Sequence, residues 1–185
     1  MLLRNGKDVT NLPTIFDVDY LPIGYAEDGS SAPAAVSTLS STNKVGIRDF
    51  DGASNETVKF MWMVPYDLVG ATVKARLICY VSNSTAPATG EIVAFSVAGM
   101  SLANSGIISG SVGTAVTSSL TADATYAQYD RLATAWTSAI TITGVAAGES
   151  AHLDVIRLAT TTDTYAQDIG MAGLEIKYTR QLNYG

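Results

Sequence analysis

With 17 acidic against 11 basic residues in 185, the chain carries a net charge of −6, and its cations are scattered. That speaks against nucleic acid or an anionic membrane as a partner, because both need clustered Lys and Arg to neutralise phosphates. Only 15% of the residues are charged, where soluble domains carry about 25%. The small neutral residues that fill the gap cost little side-chain entropy to bury, which suits packing against copies of itself or a large partner.

The length fits one domain with an appendage. Residues 1 to 44 read as an extended arm. They hold three of the five prolines, Pro13, Pro22 and Pro33, and the run "GSSAPAAVSTLSSTN". Proline removes ladder donors and pushes its predecessor toward extended backbone. The arm opens with "LLRNGKDV", where Asn5-Gly6 between short apolar runs signals a two-residue hairpin. Its apolar residues, among them Leu2, Leu3, Ile15, Phe16, Val18, Tyr20, Leu21 and Ile23, favour a docking strap over a floppy tail.

From about residue 45 the rhythm changes to short segments rich in β-branched and aromatic residues, separated by turn clusters. "KVGIRDF" ends at Asp51-Gly52, whose glycine is expected to supply a positive φ in a hairpin connection. The oxygen-rich "DFDGASNE" misses the spacing of a calcium loop, since Gly52 stands at position 4 and not 6. In "FMWMV", Phe60, Trp62 and Val64 share one strand face and Met61 and Met63 the other. Both faces being apolar, the segment reads as a central strand covered on both sides, with Trp62 in the core and not a sugar platform.

"ATVKARLICYVS" contains the only cysteine, Cys79, read as a small buried hydrophobe; one cysteine allows neither an intramolecular disulfide nor a cysteine zinc cluster. The sequons at Asn55 and Asn83 carry no weight without a secretion signal. The N-terminus lacks the apolar stretch of a signal peptide, and no window holds 18 continuous apolar residues. "TADATYAQYDRLATAW" could be a helix but reads better as a turn feeding a strand. Tyr126, Tyr129, Trp136 and Tyr165 lie near turns and form a candidate exposed aromatic patch. "TYAQ" occurs at 125–128 and again at 164–167, consistent with equivalent loops.

The chemistry-bearing residues assemble no convincing active site. His152 is the only imidazole and shares a strand face with Asp154. A triad also needs a nucleophile on a strained turn beside an oxyanion hole, and no G-x-S-x-G is present. Asp17 and Asp19 share a face, as a glycosidase pair would, but on an arm with no evident cleft. Catalytic, cofactor and metal residues are therefore expected to be none.

One order of features is familiar. A strand close to F-x-W-x-V-P leads to "YDLVG", then "ATVKARLICYVSNS", a strand after "ATGE", "AITITGVAAGESAHLDVIRLA" and the closing "DTYAQDIGMAGLEIKYTR". Over Val58 to Arg180 this resembles a jelly-roll domain of tailed-bacteriophage virion proteins, particularly capsid decoration (cement) proteins. The resemblance implies an all-β, antiparallel jelly-roll β-sandwich of about eight strands at 45–185, behind the extended N-terminal arm. It also implies a non-enzymatic structural protein without cofactor, assembled as a homotrimer on the major capsid protein at the outer capsid surface of the virion and made in the host cytoplasm. On that reading the arm residues Leu2, Leu3, Ile15, Phe16, Tyr20 and Leu21 contact capsid or neighbouring subunits. Arg157 matches an arginine at a strand end, with Asp163 and Asp168 matching acids in the loop after it, a clamp at the sandwich rim. The alternative is a receptor- or carbohydrate-binding tip module of a tail or head fibre, using its loop tyrosines. A secreted glycan-active enzyme ranks third.

Overall fold

The computed structural model describes residues 3–4, 7–8, 14–40, 42, 44–102, 112–123 and 126–181. Leu2 and the side chain of Leu3 fall outside the described parts. Alternating apolar and polar residues in β-branched runs make strands, and every longer segment read as β-rich forms one. In chain order they are β1 (Leu3–Arg4), β2 (Lys7–Asp8), β3 (Thr14–Pro22), β4 (Glu27–Asp28), β5 (Ser37–Thr38), β6 (Gly46–Phe50) and β7 (Thr57–Met63). They continue with β8 (Thr72–Tyr80), β9 (Ile92–Leu102), β10 (Val116–Thr121), β11 (Arg131–Ala133), β12 (Ile140–Thr141), β13 (Ser150–Arg157) and β14 (Ile169–Gln181). The described helical residues amount to one 3-10 turn, Ile23–Tyr25, and no helix is long and apolar enough to cross a membrane.

β1 and β2 pair antiparallel as the Asn-Gly signal predicts. Every other ladder is antiparallel too. A front sheet runs β10-β9-β13-β7-β4, and a back sheet runs β11-β8-β14-β6-β5, with β12 beside β8 and β3 beside β14. The pairings are nested: β6 with β14, β7 with β13, β8 with β11, and β9 with β10. That is one long antiparallel ribbon, folded at the β9–β10 connection and rolled so that successive pairs alternate between sheets. The fold is a jelly-roll sandwich.

The core lies between the sheets. Inward rows come from β7 (Val58, Phe60, Trp62), β8 (Val73, Ala75, Leu77, Cys79), β9 (Val93, Phe95, Val97), β13 (Ala151, Leu153, Val155) and β14 (Leu174, Ile176, Tyr178). Phe50 meets Phe95 edge-on at 5.6 Å, and Trp62 tilts against Tyr178 at 5.5 Å. Burial pushes the Cys79 thiol up to about 12, as befits a core hydrophobe. Met61 and Met63 correct the expectation for their strand. They are 51% and 64% exposed, because β7 is covered on one face only.

The arm from Thr14 onward folds back on its own domain. β3 pairs with β14 over nine residues, from Thr14↔Gln181 to Pro22↔Gly173. Gly173 makes the close approach possible, since a Cβ there would stand 2.5 Å from the Leu21 carbonyl oxygen. Ile23 ends the segment inside the core at 1% exposure. Inward-facing Asp19 accepts a hydrogen bond from the indole Nε1 of Trp62 at 2.8 Å and from the Tyr178 hydroxyl at 3.3 Å. The arm's inner face is therefore stitched to the core by polar contacts as well as by the ladder.

Candidate binding surface

The stretch around Arg157 forms a buried clamp. Arg157 continues the inward row of Leu153 and Val155, so its guanidinium ends inside the sandwich at 0% exposure and not at the rim. Nε donates to Asp163 Oδ2 at 2.9 Å, Nη1 to the carbonyls of Phe50 and Gln167, and Nη2 to the carbonyl of Tyr165. Asp163 also accepts the backbone N–H groups of Ala94 and Tyr165. One ion pair thus ties β6, β9 and β13 to the loop that leads into β14. Asp168 takes no part. It is exposed and accepts only from the backbone of Gly52 at 3.3 Å. The difference is one of loop geometry, because the chain between β13 and β14 curls Asp163 inward under Leu158 and leaves Asp168 outside.

The other reactive-looking groups are also committed to structure. His152 sits on the outer face of the front sheet between Met61 and Met100. Its Nε2 is buried without a hydrogen-bond partner, and Asp154 turns toward Lys59 at 3.6 Å. Asp17 pairs with Arg180 at 3.0 Å while Asp19 holds Trp62, so these two carboxylates brace the arm. In "DFDGASNE", Asp51 accepts from Ala53 N and Ser54 Oγ, and those bonds hold its carboxyl below its ordinary value. Glu56 accepts from Asp51 N. Gly52 lacks the positive φ expected of it; a Cβ there would lie 2.4 Å from the backbone of Ala166, so closeness and not handedness requires the glycine. Among the described residues no three His, Cys, Asp or Glu side chains converge as a metal site would need.

The expected aromatic patch divides into three. Tyr165 is buried, 2% exposed, and its hydroxyl donates to the carbonyl of Thr85, so it belongs to the core and not to any patch. Tyr126 and Tyr129 lie in the connection between β10 and β11, at the same end of the sandwich as the loop of Tyr165. The described residues of both "TYAQ" copies thus fall on connections from the front to the back sheet. Tyr129 is half exposed and adopts φ +76°, a left-handed backbone unusual for a bulky residue, held by its N–H on the Val81 carbonyl. Trp136 stands elsewhere, on the outer face of the back sheet.

That outer face is half covered. At one end Leu39 and Val45, from the segment before β6, pack on Ile47, Ile78 and Ala172. Beyond this cover the face is open, and three strands supply it in register. β3 contributes Phe16, Val18 and Tyr20; β14 contributes Thr179, Lys177 and Glu175 directly opposite them. β8 adds Lys74 opposite Lys177 and Arg76 opposite Glu175. Phe16 is 71% exposed, and Val18 and Tyr20 are nearly half exposed. Arg76 lies 4.6 Å from the centre of the Trp136 ring and pairs with Glu175 at 2.5 Å. Lys177 Nζ sits 4.8 Å from the Phe16 ring and 5.9 Å from that of Trp136.

Beside Phe16 and the two lysines runs a groove of about 160 Å³, lined by Phe16, Thr72, Lys74, Ala139, Lys177 and Thr179 among others. It is smaller than the ~300–1,000 Å³ of enclosed ligand pockets, as a surface groove should be. Chemically it offers the flat Phe16 ring beside ammonium groups. Phe16 and Trp136 were visible in the sequence as arm and patch residues. Lys74 and Lys177 carried no signal, since only the β8–β14 register brings them together.

No protein-family model matches the sequence, and no curated protein sequence matches it. Among solved structures, the chain is similar to the CBM35 of Abf62 from Cellvibrio japonicus, at 12% identity and a TM-score of 0.48, over 91% of this chain and 100% of that one. It is similar to a cycloisomaltooligosaccharide glucanotransferase of Paenibacillus sp. at 12% identity and a TM-score of 0.40, over 83% of this chain and 18% of that one. A family GH115 4-O-methyl-alpha-glucuronidase, BtGH115A, follows at 8% identity and 0.41, over 89% and 18%. The chain thus spans the first of these fully and under a fifth of the other two. At such identities and TM-scores these likenesses assign neither a ligand nor a site.

Proposed function

We propose that the chain is a non-catalytic binding module of a phage particle, carried on a tail or head fibre, which attaches to a carbohydrate or receptor through the open half of its back sheet. One observation carries the reading: exposed Phe16 lines a groove on the open half of the sheet face, and Lys177 on its wall reaches toward the Trp136 ring close by. An exposed aromatic ring on a rigid strand, such as Phe16, binds with little ordering cost, which is what a surface-attachment module needs. The sequence resemblance over Val58 to Arg180 supports the particle. The commitment of Asp17, Asp19, Arg157 and Asp163 to internal bonds supports binding over reaction.

Capsid cement is the second reading. Its strap is spent in part, because residues 14–22 already serve as a strand of their own sheet. Its remaining support is that Phe16, Val18 and Tyr20 keep apolar surface outward, where a major capsid protein or a second copy could seat. Two assays separate the readings. Glycan-array binding lost on Phe16→Ala and Trp136→Ala, with unchanged folding, supports the attachment module. Binding to undecorated capsids without any glycan signal would overturn it in favour of cement.

A further inference from the structure

Lys74 and Lys177 are register partners on adjacent strands and face the same side of the back sheet. Like charges placed directly opposite in a ladder repel and destabilise it. The cation beside them, Arg76, is neutralised by Glu175. No such pairing joins either lysine to a carboxylate among the described residues. The chain has acids in excess, net −6, yet the acid these strands place on this face, Glu175, is taken up by Arg76. The lysine pair also lines the groove together with Phe16, and Lys177 stands between the Phe16 and Trp136 rings.

A lysine pair without an acid partner among the described residues, lining a groove with Phe16 and with Lys177 between that ring and Trp136, is complementary on an otherwise acidic protein to an anion carried on a ring. We propose that the groove takes the carboxylate-bearing sugars of an acidic, uronate-type polysaccharide. The carboxylate sits between the Lys74 and Lys177 ammonium groups, and the sugar face lies on Phe16 or Trp136. This rests on the attachment-module reading and narrows its ligand class. Two lysines are too few for a nucleic-acid track, which engages many phosphates. An acidic peptide would supply the charge but leave the rings without a flat partner.

The test uses the full chain and three probes: oligogalacturonate, the same oligosaccharide fully methyl-esterified, and poly-glutamate, each titrated calorimetrically. The expected result is binding of oligogalacturonate that falls at least tenfold for the methyl ester and for poly-glutamate. It also falls at least tenfold in Lys74→Gln/Lys177→Gln, and weakens as salt rises from ~20 to ~150 mM. The double variant should fold with equal or higher melting temperature, because it removes a repulsion. Equal binding of the methyl ester, lost in Phe16→Ala, overturns the anionic ligand and leaves the attachment module standing. Equal or tighter binding of poly-glutamate overturns the sugar in favour of an acidic peptide. Binding of oligogalacturonate that is indifferent to the lysine substitutions overturns the groove as its seat. No binding of any probe overturns the proposal, and the glycan array then decides the module reading separately.

Discussion

Arg157 and Asp163 lie six residues apart and meet at 2.9 Å, with neither side chain more than 1% exposed. Removing one partner of a buried pair strands the other charge, which costs about 3–5 kcal/mol. Arg157→Ala is therefore expected to lower unfolding free energy by about that much in urea denaturation. Arg157→Lys should recover little, since an ammonium cannot span the carboxylate and three carbonyls that the guanidinium fork reaches. Asp168→Ala should cost under ~0.5 kcal/mol, as an exposed loop position. A small loss in the Arg157 variant would remove the clamp from the account.

Asp19 ties the arm to the core through Trp62 and Tyr178. Asp19→Ala leaves the indole N–H without its acceptor, at about 1–3 kcal/mol. The effect should be local as well as global: residues 14–22 become sites of limited proteolysis at protease levels that leave the parent chain intact. Equal cleavage of both proteins would show that the ladder alone holds β3.

Two tyrosines should make the fold sensitive to alkali. Burial first, then nearby carboxylates, push Tyr165 and Tyr178 up to about 12. Unfolded tyrosine ionises near ~10. A group whose folded value is raised contributes stability that is complete below the unfolded value and is lost as pH climbs to the folded one. Stability should hence decline between about pH 10 and 12, while absorbance titration shows two phenols ionising only as the chain unfolds. Tyr178→Phe should flatten that decline. A titration in which every tyrosine ionises near 10 with the fold intact contradicts it.

Tyr129 holds a left-handed backbone that glycine adopts freely. Tyr129→Gly is expected to raise stability by about 0.5–1 kcal/mol, in line with relief of such strain less the added freedom of the unfolded chain. A loss of stability would mean that the ring, half exposed though it is, packs for more than its conformation costs.

Much of the fold was legible because alternation is local. Phe60, Trp62 and Val64 announce an inward row, and Asn5-Gly6 announces a hairpin, from neighbours alone. What alternation omits is which neighbour covers the second face. Met61 and Met63 read as buried by composition, yet they lie beside Ser150 and His152 on an open sheet face. Tyr165 read as exposed because a turn precedes it, but the turn aims it inward. Of two acids near Arg157, sequence distance could not choose Asp163 over Asp168. The groove was hidden most completely, since its walls come from β3, β8, β14 and the segment after β11, and only non-local pairing assembles them.

The nested ribbon has a consequence for how the protein is made. β14 is the middle strand of the back sheet, taking β8 along one edge and β6 and β3 along the other. Its three partners are all synthesised long before it, so they leave the ribosome with no central strand to join. Until translation has passed Gln181, their unpaired edges and the inner face of the front sheet stay open to other chains. Fragments ending before Ile169 should collect as aggregates, and slow elongation near the end of β14 should lower the soluble yield.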